Sequence, residues 1–160
     1  MRITQSAAET RALGQWLAGQ LLPGDVVLLE GELGAGKSEL ARGIARGLGV
    51  TETVTSPSFT ILNVYESGRA PLYHFDWYRI EDEEELWELG LQDYLGRDGI
   101  ALIEWPERAP GWIPETCLEI RIEPRGDTER SITLLPRGGF RPIAPATGHG
   151  EKTGGQGTEG

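Results

Sequence analysis

Cysteine is nearly absent from this 160-residue chain, and the chain has no apolar run long enough to span a membrane. The single cysteine, Cys117, cannot form an internal disulfide, which favours a reducing compartment. It lies in an apolar stretch without a neighbouring histidine or cationic cluster to lower its pKa, so we expect a buried structural thiol. The N-terminal residues also lack the apolar core of a signal peptide. These absences predict a cytoplasmic protein.

Basic residues are scarce: the chain has 15 Lys and Arg against 25 Asp and Glu, for a formal net charge of −10. The imbalance is concentrated in residues 51–100, which hold eleven acids and three bases. A protein that binds a nucleic-acid backbone directly needs clustered Lys and Arg to release counterions. We therefore expect any role on nucleic acid to go through a protein partner.

Glycine, by contrast, is abundant, and one glycine-rich segment completes a phosphate-binding motif. An apolar run at 25–30 precedes this segment, and Leu and Ile at fourfold spacing follow it over 39–48, which predicts a strand, a loop and a helix. In that setting the loop N–H groups and the helix N-terminus bind phosphate oxygens. We expect Lys37 to neutralise phosphate charge and the Ser38 hydroxyl to bind Mg²⁺. The motif, G-x-x-x-x-G-K-[ST], reads Gly31-Glu32-Leu33-Gly34-Ala35-Gly36-Lys37-Ser38.

The remaining pattern predicts a single-domain α/β fold of the P-loop NTPase type, with a mixed, partly antiparallel sheet flanked by helices. Further helices are predicted at about 6–20, opened by an S-x-x-E capping box, and at 81–89. Strands are predicted at 25–30, 58–65, 71–78, 99–104, 117–123 and 131–136. We expect the domain to span 1–140. Residues 141–160 are rich in Gly, Pro and Thr and are expected to form a disordered tail.

Two carboxylates are candidates for chemistry on a bound phosphate. Glu104 ends the apolar run 100–103, and Asp76 ends the more polar run 72–75. Strand ends of an open α/β sheet form its ligand-binding edge, and phosphate chemistry needs acids that orient a metal and a nucleophile. Each residue can instead be an ordinary solvated acid at a strand terminus. The sequence does not decide which of them would hold the metal and which would orient water.

Three further features allow two interpretations each. The hydroxyl-rich residues 55–60 (the hydroxyl loop) form either an ordinary turn or a switch that senses the γ-phosphate or the metal. His74 is either a base or a packed, hydrogen-bonded strand residue. The second interpretation is the simpler one, because the sequence places no partner acid beside His74. The acidic run 81–85 is either a solvated helix start or a docking surface for a basic partner.

Taken together, these segments resemble the bacterial TsaE (YjeE) family, small ATPases of the pathway that makes threonylcarbamoyladenosine at position 37 of tRNAs reading A-starting codons. The resemblance runs from about residue 3 to residue 136. A phosphate-binding loop is common to many families, whereas H-x-D-x-Y-R followed by E-W-P-E is far more specific. The matching motifs, in order, are Glu9-Thr10 with Leu13-Gly14, Leu29-Glu30 and the loop, Ser56-Pro57-Ser58-Phe59-Thr60, His74-Phe75-Asp76-Trp77-Tyr78-Arg79, Glu85-Leu86 with Leu89-Gly90-Leu91, and Ile103-Glu104-Trp105-Pro106-Glu107.

The resemblance implies ATP and Mg²⁺ as cofactors. Residues 31–38, together with Glu39 and Thr10, are then expected to contact the nucleotide. Ser38, Asp76 and Glu104 are the expected metal ligands, and Lys37 joins the two acids in catalysis. Such proteins hydrolyse ATP weakly alone and act when docked on a heterodimer of the TsaD and TsaB proteins, where hydrolysis resets the complex. Contact with tRNA is then indirect, and residues 56–60 and 74–79 correspond to two switch regions.

Four residues depart from the usual pattern of the family. Ser38 and Ser58 stand where the family usually has Thr, and Trp77 replaces a usual Leu. Glu39 stands where relatives often have Thr. We expect it to put an acid near the phosphates and to weaken nucleotide affinity.

Two other functions agree with parts of the sequence. A small-molecule kinase on a P-loop scaffold would use an arginine-bearing lid, whereas residues 107–130 hold scattered arginines without a compact lid. A nucleotide-gated interaction module, in which binding rather than turnover matters, is favoured by the acidic segment 81–98 and by the surplus of tryptophan.

Overall fold

The computed structural model describes residues 1–32 and 34–143. These residues form one seven-stranded sheet, in the order β1-β7-β6-β2-β5-β4-β3, with helices packed on it. The strands are β1 Arg2–Thr4, β2 Val26–Glu30, β3 Leu62–Tyr65, β4 Leu72–Asp76, β5 Ile100–Glu104, β6 Cys117–Pro124 and β7 Arg130–Arg137. The α-helices are α1 Ala7–Ala18, α2 Lys37–Gly47 and α3 Glu84–Glu88, and 3₁₀ turns cover Leu91–Tyr94, Pro106–Arg108 and Pro110–Trp112.

The sheet is mixed, which confirms the predicted fold class. Its centre is parallel: β2 lies between β5 and β6, and β4 continues on the far side of β5. Its edges are antiparallel, where β3 pairs with β4 and β7 pairs with both β6 and β1. The central strands therefore end at one edge of the sheet, and the phosphate-binding loop begins there.

Each face of the sheet carries its own core. On one face, apolar side chains of α1 and α2 pack on the inward residues of β2, β5 and β6. On the other face, the core includes Phe75, Trp77 and Leu86 together with Cys117. The Cys117 side chain is buried, and burial followed by the nearby Glu119 charge raises its pKa, as expected of a structural thiol.

Helix α1 begins where the capping box predicts. The Ser6 side chain accepts a hydrogen bond from the Glu9 N–H, and the Glu9 carboxylate accepts one from the Gln5 N–H. The helix then packs closely on α2 through glycine: a Cβ atom on Gly43 would lie 2.1 Å from the carbonyl oxygen of Arg11. Backbone contact at this point sets the distance between the two helices.

Three element boundaries differ from the prediction. Strand β1 was not expected, because three residues carry no periodic signal and are extended through pairing with β7. Strand β3 begins at Leu62 rather than at 58, because the chain turns before it: the Ile61 N–H donates to the Pro57 carbonyl. Helix α3 covers only five residues of the nine predicted.

The C-terminal residues that the structure describes stay on the domain. Arg141 donates to a carboxylate oxygen of Asp25 at 3.1 Å and to the Gln20 carbonyl at 2.7 Å. The predicted tail from 144 to 160 lies outside the described residues. Within the described ranges, no helix is both long and apolar enough to cross a membrane.

Candidate functional site

The loop between β2 and α2 adopts a conformation that depends on its glycines. Gly34 and Gly36 have φ angles of 80° and 110°, in the region that side-chain-bearing residues rarely adopt. Gly31 lies so close to β6 that a Cβ atom would be 2.7 Å from the Ile122 carbonyl oxygen. Helix α2 starts immediately afterwards at Lys37, so its unpaired N–H groups face the loop. This is the arrangement that binds phosphate at a helix N-terminus.

Lys37 is the buried cation of this loop. Its side chain is almost fully shielded, its Nζ donates to the Gly31 carbonyl at 2.6 Å, and Nζ lies 3.9 Å from the centre of the Trp105 ring. Burial lowers the pKa of Lys37, while the nearby charges of Glu104 and Asp76 act in the opposite direction. The ammonium group therefore uses a loop carbonyl and an aromatic face as partners where a phosphate would bind.

Asp76 and Glu104 lie side by side at the ends of neighbouring strands. They are direct partners in the β4–β5 register, and both are buried. Both line one cleft of about 400 Å³ together with the loop. The cleft is lined by Ala7, Gly34, Gly36, Lys37, Ser38, Glu39, Ser56, Ser58, Asp76, Tyr78, Glu104, Trp105 and Arg130. The strand ends thus bring both predicted acids to the loop.

This donor set fits Mg²⁺ in the presence of a nucleotide. The described ranges contain no group of three or more His, Cys, Asp or Glu side chains that would hold a metal by themselves. Mg²⁺ in nucleotide sites takes only one or two protein oxygens and completes its shell with phosphate and water. Ser38 and the two carboxylates, all facing one cleft, supply oxygen ligands of that kind.

Asp76 also holds the hydroxyl loop. The Ser58 hydroxyl donates to Asp76 Oδ2 at 3.1 Å, and the Tyr78 N–H donates to Oδ1 at 2.9 Å. The Ser56 and Ser58 hydroxyls lie 2.9 Å apart. The hydroxyl loop and the segment that follows β4 are therefore joined at one carboxylate, although the switch role of either segment stays a prediction.

His74 is the hydrogen-bonded strand residue of the simpler interpretation, and its partner is Glu104. His74 Nε2 lies 2.8 Å from Glu104 Oε2, and both side chains are more than nine-tenths buried. The sequence did not place an acid next to His74 because the two residues are thirty positions apart. Pairing of β4 with β5 brings them together.

Two predicted contacts look different in the structure. Thr10 is not brought into the cleft: its side chain is buried, and its hydroxyl lies 2.7 Å from that of Thr4, so its nucleotide contact stays a prediction. Glu39 lines the cleft but forms ion pairs with Arg11 at 2.7 Å and Arg42 at 3.2 Å. Its charge is therefore compensated locally by two arginines, and the expected weakening of nucleotide affinity stays a prediction.

Part of the predicted loop contact set does not line the cleft. Glu32 lines a separate groove of about 530 Å³ on the other side of the loop, next to Trp105 and Pro106. Leu33 lies outside the described residues. Gly31 lines the same groove as Glu32, whereas Gly34, Gly36, Lys37 and Ser38 line the cleft and Ala35 is buried.

Arg130 and Trp105 are site residues that the sequence did not single out. A Cβ atom on Gly36 would lie 3.3 Å from Arg130 Nε, so the guanidinium is at the loop itself. Trp105 has a φ of 59° and lies between Lys37 and the Tyr78 ring, whose centre is 4.8 Å from its own. The position of Trp105 within the E-W-P-E motif, directly after Glu104, could have indicated a place for it at the site. Arg130 had no local signal, because strand pairing alone brings β7 to the loop.

Comparison with known proteins shows the family to which the chain belongs. The family model described as threonylcarbamoyl adenosine biosynthesis protein TsaE matches residues 4–132. The chain is 45% identical over 135 residues to the TsaE protein of Bacillus subtilis, covering 84% of each sequence. It is 39% identical over 132 residues to the TsaE protein of Treponema pallidum, covering 82% of this chain and 97% of that one. The chain belongs to the TsaE family.

A solved structure supports the same assignment of fold. The crystal structure of Bacillus subtilis YdiB superposes with a TM-score of 0.75 at 40% identity, over 86% of this chain and 84% of that one. The TsaE family is named for tRNA threonylcarbamoyladenosine biosynthesis, so this chain is a member of a tRNA-modification family. The matched range contains the loop, both carboxylates, His74 and Arg130.

Ser38 and Ser58, which depart from the usual TsaE pattern, keep a hydroxyl-bearing side chain at the cleft. Ser58 still reaches Asp76 through its hydroxyl, and Ser38 still lines the cleft. Trp77 is fully buried, and within the described ranges its indole N–H has no hydrogen-bond partner. A leucine at this position would carry no such N–H group.

Proposed function

We propose that this chain is a partner-dependent ATPase of tRNA threonylcarbamoyladenosine biosynthesis. The observation that carries the proposal is one cleft in which a phosphate-binding loop, Lys37, Ser38, Asp76 and Glu104 converge. Binding alone would require only the loop. Hydrolysis also requires acids that orient a metal and the attacking water, and two buried acids lie at the strand ends next to the expected position of the phosphates.

In this proposal the loop N–H groups and the N-terminus of α2 bind the phosphates. Lys37 exchanges its bond to the Gly31 carbonyl for a phosphate oxygen, and Arg130 approaches the same phosphates from β7. Mg²⁺, held by Ser38 and a carboxylate, would supply positive charge against the phosphate oxygens. Of Asp76 and Glu104, one holds the metal and the other orients the attacking water, whose oxygen forms the bond to the γ-phosphorus as the bond from that phosphorus to the bridging oxygen of ADP breaks and whose proton passes to the phosphate product or to solvent.

The partner in this proposal is the TsaD–TsaB heterodimer, and the compartment is the cytoplasm. The charge of the chain supports indirect rather than direct contact with tRNA, because a net charge of −10 repels a phosphate backbone. Hydrolysis would reset the heterodimer between rounds of modification. ATP and ADP are the small-molecule partners.

A nucleotide-gated interaction module is a second candidate. It is favoured by α3, where Trp87 and Leu89 are more than half exposed on a segment rich in Glu. In that case ATP binding would change the contact with a partner, and hydrolysis would not be needed.

Phosphate release is the decisive measurement. We expect slow release from ATP by the purified chain, stimulation by the TsaD–TsaB heterodimer, and loss of both in Lys37→Ala. Arg125→Ala, a change at an exposed residue of the β6–β7 turn, is the matched control. Release that is unaffected by Lys37→Ala would overturn the proposal, and transfer of the phosphoryl group to a metabolite would favour a kinase instead.

A further inference from the structure

The His74–Glu104 contact defines which atom of the imidazole carries a proton. A carboxylate without a proton only accepts hydrogen bonds, so we assign the donor of the 2.8 Å contact between Nε2 and Oε2 to Nε2–H. In the neutral ring, Nδ1 is then an acceptor. The contact is shielded from solvent, because the exposed fractions of the two side chains are 3% and 8%.

The other ring nitrogen lacks a partner. Nδ1 is buried and, among the described residues, accepts no hydrogen bond. Buried acceptors of this kind are rare, and most are satisfied by protein or by ordered water. His74 borders a small cavity of about 10 Å³, which is close to the room that one water molecule occupies. Ser38, Thr55 and Ser56 line the same cavity, so an O–H donor is within its walls.

We propose that His74 is a positioning residue, which fixes the Glu104 carboxylate through Nε2–H and is fixed in turn by an O–H donor on Nδ1. The donor is either one water molecule or one of the hydroxyls that line the cavity, those of Ser38, Thr55 and Ser56. This inference rests on the proposed function, because it assumes that Glu104 acts on metal or water. It adds a second connection from the hydroxyl loop to the acids: Ser58 reaches Asp76 directly, and the cavity reaches Glu104 through His74.

A pair of amide variants tests the first connection. His74→Gln keeps an N–H near the position of Nε2, whereas His74→Asn is too short to reach Glu104 and keeps a polar group only near Nδ1. Loss of a group that orients a metal-binding carboxylate costs about 10- to 100-fold in metal affinity or activity. We expect His74→Asn to lose that much in heterodimer-stimulated kcat and in the Mg²⁺ dependence of ADP binding. His74→Gln should retain most of the parent chain's kcat and most of its Mg²⁺ dependence of ADP binding. Neither variant should change the affinity for ADP measured without Mg²⁺.

Two loop variants identify the donor on Nδ1. A fall in kcat for Thr55→Val or Ser56→Ala that vanishes in the His74→Gln background identifies a loop hydroxyl, because Gln has no acceptor there. Full activity of both loop variants excludes the loop hydroxyls and leaves water or the Ser38 hydroxyl as the donor. Thermal unfolding of each variant with bound ADP separates a positioning effect from a loss of fold.

Glu104→Gln separates this inference from the proposed function. If Glu104→Gln loses phosphate release while His74→Asn has the kcat and Mg²⁺ dependence of the parent chain, the positioning role is wrong and the proposed function stands. If Glu104→Gln is itself fully active, the positioning role is wrong, because the carboxylate that His74 would position is not needed, while loss of phosphate release in Lys37→Ala would still support the proposed function. Equal losses in His74→Asn and His74→Gln would also overturn the inference, since the Nε2–H bond would then not matter.

Discussion

Substitution of Gly43 by alanine should destabilise the protein through a collision between two helices. The new Cβ atom would lie 2.1 Å from the Arg11 carbonyl oxygen and 2.8 Å from its carbonyl carbon, and backbone atoms cannot rotate away. The helices must therefore separate by roughly 1 Å in a core packed to crystal density. Overpacking of this kind lowers the free energy of unfolding by about 1–3 kcal/mol, and we expect a cost at or above the upper end of that range because the contact is with backbone atoms. Alanine regains about 1 kcal/mol of helix propensity, which leaves a net loss of about 2 kcal/mol.

The assay is thermal unfolding followed by circular dichroism. A loss of about 2 kcal/mol lowers the Tm of a domain of this size by about 4–8 °C. Gly19→Ala is the matched control, because Gly19 has a helical φ of −66° and the nearest atom to its new Cβ is 3.4 Å away. It should be neutral or slightly stabilising. A Tm for Gly43→Ala equal to that of Gly19→Ala would refute the reasoning. Because α1 and α2 both line the cleft, ADP affinity should fall with the Tm.

Three further predictions concern charges at or near the cleft. Arg130→Ala should weaken ATP binding, measured by calorimetry, by roughly 10- to 150-fold. This factor corresponds to the loss of one hydrogen bond to a charged group, about 1.5–3 kcal/mol. An affinity equal to that of the parent chain would exclude a contact between Arg130 and the phosphates. Burial, followed by a hydrogen bond with Glu119, raises the pKa of Glu30 to about 7. The contribution of the neutral Glu30 carboxyl to the free energy of unfolding is therefore full below about pH 4.5 and is lost as the pH rises through 7. Glu30→Gln should therefore flatten the decline in Tm between pH 5 and 8, and parallel pH profiles would contradict this. Glu104→Gln should bind ATP but release no phosphate, and full complementation of tRNA modification in cells by this variant would favour gating over turnover.

The sequence predicted those parts of the site whose signal is local. The loop motif is contiguous, and Asp76 and Glu104 each end a recognisable apolar run, so their meeting at one sheet edge followed from parallel pairing. Contacts made by distant segments were not predictable in this way. Arg130 reaches the loop only because β7 pairs with β6, and His74 meets Glu104 only through the β4–β5 register.

Strand β3 shows the same limit at the level of the fold. Its predicted first residues have β-branched and aromatic side chains, yet the chain turns through them, and Ile61 takes a φ of 69°. The Ser58 bond to Asp76 and the Ile61 N–H bond to Pro57 hold this turn. Local propensity was overridden by contacts to the site, which is where conflict between sequence pattern and structure is expected.

The polar groups of the candidate site already have partners before a ligand binds. Lys37 is bonded to the Gly31 carbonyl, Glu104 to His74, and Asp76 to Ser58 and Tyr78. A nucleotide must therefore exchange these contacts for its own, and only the difference in free energy contributes to binding or to transition-state stabilisation. The exchange reduces the net free energy that the chain alone gains from the nucleotide, which is one physical reason to expect slow turnover without a partner. A partner that moves the hydroxyl loop would change the contacts of Asp76 directly through Ser58, and those of Glu104 as well where a hydroxyl of that loop is the proposed donor to His74.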